Sequence, residues 1–472
     1  MNIIHIPQTL VSLICLNSIT TLLDECDELY CGSFYRLRPE DVYRSQFFLV
    51  SKKFFMSAIS GIQFLLDSNT IAIESADLYK WHFFSSFFGV QLKNVVLADV
   101  TNLINLPFPL SSIRSIQFVG SNLDFLSPSS PTFLPRLKHV HIQKGMFTDN
   151  DVSMISATLR TDAQLISLYV AANYLNNAGA NQIFKNCHYL QQLNLGYNNL
   201  SDDVARAAAD YLARDSCLLV LDLSCNSITC KGISIIAKPL EVHPSLKTLS
   251  LTDDVIKEEG AVALAKVLEV NSSISELNLC NIVNRTNAIK CGGLTVLAKS
   301  LEDNCTLASL YISSNLIADE GVIALGSSLL INQSLEHLDL YDNQISDDGV
   351  CQLALALQTH SSLSLILLSS NLISDVGAMV LAEALKTNAS LTLLQLNDNR
   401  ITSVGAGALM NALRMNCTLT GLSLYDNLLS VDDVYVGDDV LDENDVITAL
   451  VFDDCQSELT SPLKNSNRMI FF

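Results

Sequence analysis

The chain has 472 residues, of which 49% are apolar and only 16% charged, and it carries a formal net charge of −21. So apolar a composition excludes a disordered chain, and so acidic a one argues against nucleic acid as a partner, which needs a basic footprint. The acid excess suits a partner with a basic surface as well as plain solubility.

Thirteen cysteines make an odd number with no C-x-x-C pair, which reads as reduced thiols rather than a disulfide framework. The opening "MNIIHIPQTLVSLICLNSIT" is apolar, but it lacks a basic leader and Pro7 interrupts it. Neither a signal peptide nor a membrane span is expected, so the location reads as cytoplasmic, with the nucleus open.

Residues 1–60 read as a helical region. "HIPQTLVSLICLNSI" (5–19) is an apolar helix that follows a proline, and "DVYRSQFFLVSKKFFMSAI" (41–59) is a second helix. The entry Ile6, Pro7, Leu10 and Ile14, paired with the later Leu49, Val50, Ser51, Lys52, Lys53 and Phe54, resembles an F-box. That resemblance implies docking to a Skp-type adaptor of a cullin ubiquitin ligase, through Ile6, Pro7, Leu10, Ile14, Leu49, Val50 and Phe54. The segment "TTLLDECDELYCGSFYRLRPE" sets the two halves further apart than an F-box usually does. The other reading is a helical cap over the first apolar edge of a repeat array.

Residues 61–160 read as irregular repeats or cap. "LKNVVLADVTNL" (92–103), "IRSIQFVGSNL" (113–123) and "LKHVHIQKGMF" (137–147) are degenerate copies of a motif that becomes regular downstream, and they predict an array starting near residue 90.

From 161 to 430 the motif is regular. "SLEHLDLYDNQISDDGV" (334–350) returns as "SLSLILLSSNLISDVGA" (362–378) and "SLTLLQLNDNRITSVGA" (390–406), a period of 28. One slot holds Asn173, Asn198, Asn226, Asp254, Asn287, Asn315, Asn343, Asn371, Asn399 and Asn427, with five extra residues before Asn287. Leu335, Leu338 and Leu340 supply a short strand, and Val350, Leu353, Ala354 and Leu357 supply a helical stripe. One such unit cannot bury its stripe alone, so units must stack, and the slot asparagine must then bond backbone inside the stack. The 28-residue unit, its N-x-I/L and its trailing glycine resemble leucine-rich repeats of the ribonuclease-inhibitor type, also found in NOD-like receptors and Ran GTPase-activating proteins. The resemblance implies an α/β horseshoe with a parallel sheet on its concave face, preceded by the helical N-terminal region.

Four sequons, at Asn304, Asn332, Asn388 and Asn416, share one repeat slot just before a strand. They read as turn punctuation rather than glycosylation sites.

A horseshoe binds partners through the exposed positions of its strands and the loops after them. Tyr311, Asp339, Tyr341, Asp342, Gln395, Asp398, Tyr425 and Asp426 are the candidate protein-binding residues. Tyrosines there offer rigid contact area, and aspartates complement a basic partner. No histidine, cysteine or carboxylate pattern carries metal, nucleophilic or acid–base chemistry. The expectation is a non-enzymatic protein without cofactor, metal or membrane attachment. It would bind a partner protein on the concave face, either as an F-box-type substrate receptor or as a free-standing scaffold or inhibitor. The resemblance to Ran GTPase activators leaves a third reading, with Arg285 and Arg400 as exposed arginines. Residues 431–472 read as an acidic cap and tail ending in a loose terminus; no Lys or Arg lies between Arg414 and Lys464.

Overall fold

The computed structural model describes residues 71–74, 94–98, 114–119, 138–143, 148–150, 152, 165–214, 217–283, 288–452 and 468–471. The predicted helices of 1–60, with every F-box-like residue from Ile6 to Phe54, lie outside them, as do Arg285 and Asn287, the latter expected in the asparagine slot. The chain divides into two compact units, Met1–Tyr174 with Asn186–Leu190, and Leu175–Lys185 with Gln191–Phe472.

In the first unit, β1 (Ile71–Glu74), β2 (Asn94–Ala98), β3 (Ser115–Val119), β4 (His139–Gln143) and β5 (Ser167–Tyr169) pair in parallel in chain order. The sheet therefore starts a strand earlier than the expected residue 90. The "IAIE" of β1 lacks the following asparagine motif that marks later units, which is why the repeat pattern does not find it. The register partners Ile71, Val95, Ile116, Val140 and Leu168 are unevenly spaced along the chain, so no single period fits this unit.

The second unit alternates strand and helix. Its strands are β6 (Gln192–Asn194), β7 (Val220–Asp222), β8 (Thr248–Ser250), β9 (Glu276–Asn278), β10 (Ser309–Tyr311), β11 (His337–Asp339), β12 (Leu365–Leu367), β13 (Leu393–Gln395), β14 (Gly421–Ser423), β15 (Ala449–Phe452) and β16 (Met469–Phe471). The helices are α1 (Asn177–Asn186), α2 (Ala205–Arg214), α3 (Cys230–Leu240), α4 (Lys257–Val270), α5 (Lys290–Leu301), α6 (Asp319–Leu329), α7 (Asp347–Leu357), α8 (Asp375–Leu385), α9 (Ser403–Leu413) and α10 (Val431–Glu443). All strand pairs are parallel, which a helical crossover makes possible. The core lies between sheet and helices: Leu335, Leu338 and Leu340 from the strand side, and Val350, Leu353 and Leu357 from α7, are at most 1% exposed.

Within the second unit, two asparagine ladders bind successive repeats together. In the first, the slot amide donates back one unit and within its own turn. Asn371 Nδ2 donates to the carbonyls of Leu340 and Leu368 at 3.0 and 2.9 Å, while its Oδ1 accepts from the Ile345 N–H at 3.0 Å. Asn315 reaches back 36 residues to Leu279 where Asn343 reaches 31 to Ile312, a difference that matches the five inserted residues. The second ladder was not anticipated as one. It runs through the sequon slot: Asn332 Nδ2 donates to Leu301 and Asn304 carbonyls at 2.9 and 2.8 Å, and its Oδ1 accepts from Ser334 and Leu335 N–H. Asn304, Asn388 and Asn416 repeat the arrangement. At these four positions the asparagine is 6% exposed or less, so the nitrogen a glycan would need there is buried and bonded; Asn199, which heads a sequon outside this slot, is exposed. The punctuation reading holds.

A carboxylate joins successive helix N-termini. Asp347 Oδ1 accepts from the backbone N–H of Ser374 and Gly377 at 2.8 and 2.9 Å, and Oδ2 from the Ser374 hydroxyl at 2.6 Å. Asp202, Asp319 and Asp375 do the same for the units that follow them. These acids read from sequence as solvated loop residues; they are structural clamps. They also explain the trailing glycine of the motif, since a Cβ at Gly377 would stand 2.6 Å from Asp347 Oδ1. The three hydrogen bonds outweigh the burial that opposes them and hold the Asp375 carboxyl below the usual range.

The terminal expectation is corrected over 468–471. β16 pairs with β15 in parallel register, and the Arg468 guanidinium donates to the carbonyls of Leu441, Asn444 and Ile447. Its isolated arginine is a backbone anchor, not part of a loose end. The acidic run before it folds into α10, opened by a capping box between Ser430 and Asp433.

Candidate protein-binding face

β11, β12 and β13 each bury their middle residue and turn the two flanking residues to the other side of the sheet, and their register partners in β10 and β14 follow. Two rows result. The first runs Ser309, His337, Leu365, Leu393, Gly421 and Ala449; the second runs Tyr311, Asp339, Leu367, Gln395, Ser423 and Val451. Tyr311 and Asp339 are direct register neighbours, and Leu367 stands between Asp339 and Gln395.

Tyr341, Asp342, Asp398, Tyr425 and Asp426 lie just beyond the strands, on one edge. Tyr341 is 42% exposed and Tyr425 37%. Asp342, Asp398 and Asp426 have φ of 54°, 50° and 56°, as does the equivalent Ser370 at 56°. The left-handed conformation tolerates aspartate and asparagine better than most residues. Backbone geometry therefore accounts for a short polar side chain here, but not for its charge, since asparagine or glycine would serve as well. Asp342 Oδ2 accepts from the Ser314 hydroxyl at 2.9 Å. The Asp339 carboxyl is pushed up by burial, against N–H and hydroxyl donation from Tyr341 and Ser313. The eight predicted residues thus share one face and one edge of the sheet, but Leu365, Leu367 and Leu393, which occupy the middle of that face, were not singled out. Reading each strand's first and third residues as a cross-strand row would have found them.

The asparagine slot breaks the ladder rule twice, at Ile282 after β9, which has no amide, and at Asp254 after β8. Asp254 is 2% exposed; its Oδ1 accepts from the Ile228 N–H at 3.2 Å, and its Oδ2 is buried without a hydrogen-bond partner. The asparagines place an amide donor where that oxygen sits. Burial pushes the Asp254 carboxyl well above its ordinary value; the Ile228 and Asn226 N–H groups pull it down, and Asp222 and Asp253 push it further up. A protonated acid can donate as asparagine does, which fits the slot.

Two of the described thiols are held protonated by burial. Burial pushes Cys187 up to about 12 and Cys225 up to about 11, the opposite of what a reactive thiolate needs. Among the described residues no group of three or more His, Cys, Asp or Glu could hold a metal ion. Among them too, no helix is long and apolar enough to cross a membrane. Arg400 is exposed, its N–H bonded to the Ile373 carbonyl.

The leucine-rich repeat family profile matches residues 186–206, 214–237, 303–326, 332–354 and 387–410, each match falling on units described above. The chain carries leucine-rich repeats. The repeats are 23% identical over 163 residues to Protein NLRC5 of Ictalurus punctatus, a match covering 33% of this chain and 9% of that relative's length. Among solved structures, the crystal structure of the Rad7 and Elc1 complex in yeast aligns at a TM-score of 0.50 with 16% identity, over 100% of this chain and 98% of that one. It supports the repeat fold. Repeats of this kind indicate a protein-interaction scaffold.

Proposed function

We propose that the protein is a non-enzymatic scaffold that binds a basic partner protein through the sheet face and edge of β10 to β14. The observation that carries this reading is the negative charge at Asp342, Asp398 and Asp426, where the same left-handed backbone also takes uncharged residues, such as Tyr197, Cys225 and Ser370. Exposed tyrosines beside those acids add contact area with little rotamer entropy to lose.

The finer reading is that the repeats recruit a substrate while residues 1–60 dock a Skp-type adaptor of a cullin ubiquitin ligase. It is supported by Ile6, Pro7, Leu10, Ile14, Leu49, Val50 and Phe54, and by the fold shared with Rad7, a chain crystallised in complex with a second protein. The test is affinity purification of the full chain beside a truncation lacking residues 1–60. The adaptor should accompany the full chain alone, while the repeat-bound partner accompanies both. Adaptor absent from both preparations removes the ligase reading and leaves a free-standing scaffold. Replacing Tyr341, Asp342, Tyr425 and Asp426 together by alanine should weaken partner capture, and unaltered capture would refute the placement of the face.

A further inference from the structure

The sheet face of the second unit changes character along its length. In β6 to β9 its outward positions are Gln192, Asn194, Val220, Asp222, Thr248, Ser250, Glu276 and Asn278, seven of them polar. In β12 and β13 the same positions are Leu365, Leu367, Leu393 and Gln395. The three leucines are half-buried, and none of them is needed to fill the core, which Ile366 and Leu394 already close at 0% exposure. Leu365 and Leu393 are register partners, so their side chains stand side by side. Beyond them the row drops to Gly421, where a Cβ would lie 2.7 Å from Leu393 Cδ1. Leu393 therefore leans over the buried Gly421, into a notch that a side chain there would contest.

The surround of this patch is charged with one sign. Within residues 335–345, 363–373, 391–401 and 419–429 the acids are Glu336, Asp339, Asp342, Asp398 and Asp426, against a single Lys or Arg, Arg400. His337 is a register neighbour of Leu365 in the first row. An apolar centre with an acidic, tyrosine-bearing rim matches the anatomy of a binding hot spot, in which the centre supplies affinity and the rim supplies steering.

Resting on the scaffold reading above, we propose that Leu365, Leu367 and Leu393 form the apolar centre of the docking face, and that its occupant is a segment of a partner protein presenting an apolar side chain flanked by lysine or arginine. The apolar side chain packs on the paired leucines beside the Gly421 notch, and the flanking cations meet the aspartate edge.

The experiment pans a displayed library of random peptides on the full chain and measures recovered peptides, synthesised singly, against three proteins: the full chain, Leu365→Thr with Leu393→Thr, and the Tyr341/Asp342/Tyr425/Asp426 alanine variant. Threonine is a strand former, so the double variant should keep its melting transition. Leu367→Asn, whose register neighbours are already polar, is measured in parallel in case it does not. Recovered peptides should share a leucine or aromatic residue next to Lys or Arg, lose about tenfold or more in affinity on the threonine variant, and weaken with added salt. Peptides that bind the threonine and asparagine variants as well as the full chain, yet lose affinity on the alanine variant, overturn the leucine centre and leave the scaffold reading standing. Peptides indifferent to all the variants, a recovered set without the apolar–basic pattern, or no enrichment at all overturn the proposed occupant.

Discussion

Two stretches of the second unit use the same repeat for different ends. From β10 to β14 the units are regular. The asparagine slot is filled at Asn315, Asn343, Asn371, Asn399 and Asn427, and the carboxylate clamp runs through Asp319, Asp347 and Asp375. From β8 to β10 the units depart from it. Asp254 replaces asparagine, the residues before α4 and α5, Ile256 and Ile289, are helical where those before α6 to α9 are extended, and Lys257 and Lys290 sit at φ of 53° and 58°. The regular stretch also carries the leucine-centred face, and the irregular one lies beside the polar face. Regularity here supports a surface: units that close their own hydrogen bonds leave the strand's outward positions free to vary.

The largest expected effect comes from breaking the regular stretch. Asn343 is 0% exposed, donates to Ile312 and Tyr341 carbonyls, and accepts from Asn315 and Ile317 N–H. Asn343→Ala strands several buried backbone groups and should cost about 3 kcal/mol or more in denaturant unfolding. The reverse exchange should repair the irregular stretch. Asp254→Asn restores an amide donor, and a gain of about 2 kcal/mol near neutral pH is expected. The folded Asp254 carboxyl holds its proton to higher pH than the unfolded one. Stability is therefore lost as pH rises from the unfolded carboxylate value, about 4, toward the raised folded value. The benefit of Asp254→Asn should vanish below that window, and a gain independent of pH would show the carboxyl is not the cause.

His360 has the opposite sign. It occupies the sequon slot, its Nδ1 accepts from the Leu363 N–H at 3.1 Å, and burial lowers its pKa. Its contribution is complete above the unfolded histidine value of about 6.5 and is lost as pH falls toward the lowered folded value. His360→Asn should flatten the acid limb of the stability profile over that range. The smallest effect compares two glycines of α9. A Cβ at Gly405 would meet Asp375 Oδ1 at 2.6 Å, whereas at Gly407 it meets nothing within 4 Å. Gly405→Ala should lower the melting midpoint, and Gly407→Ala should raise stability by up to ~1 kcal/mol through helix propensity. Like signs would refute the clamp.

Much of this was legible in the sequence because it repeats. The strand leucines, the helix stripe and the first asparagine ladder each recur at one slot, so a pattern of 28 exposes them. The second ladder was half-visible: its asparagines were recognised as punctuation, but their bonds to the preceding units need the stack itself. The clamp was hidden for the same reason, since Asp347 meets Ser374 only across a unit boundary. β1 and β16 were invisible because they pair with the sheet without carrying the motif. On the face, tyrosine and aspartate drew notice as polar residues in an apolar repeat; Leu367 reads as an exposed column position without being a candidate, while Leu365 and Leu393 pass as ordinary repeat leucines. Only the alternation of the strand separates those that fill the core from those that leave it.

The bonds between units also determine how the array answers to force. From Asn343 to Asn427, the bonds between units in the first ladder and the clamp each join a unit to its immediate neighbour, with separations of 26 to 31 residues at Asn371 and Asp347. No single bond bridges three units, so tension applied at the ends is resisted by one boundary at a time. Pulled from its C-terminal end, the chain should peel in steps of one 28-residue unit, each releasing about 10 nm of extended chain at roughly 3.5 Å per residue. At the five-residue insertion the step should lengthen accordingly.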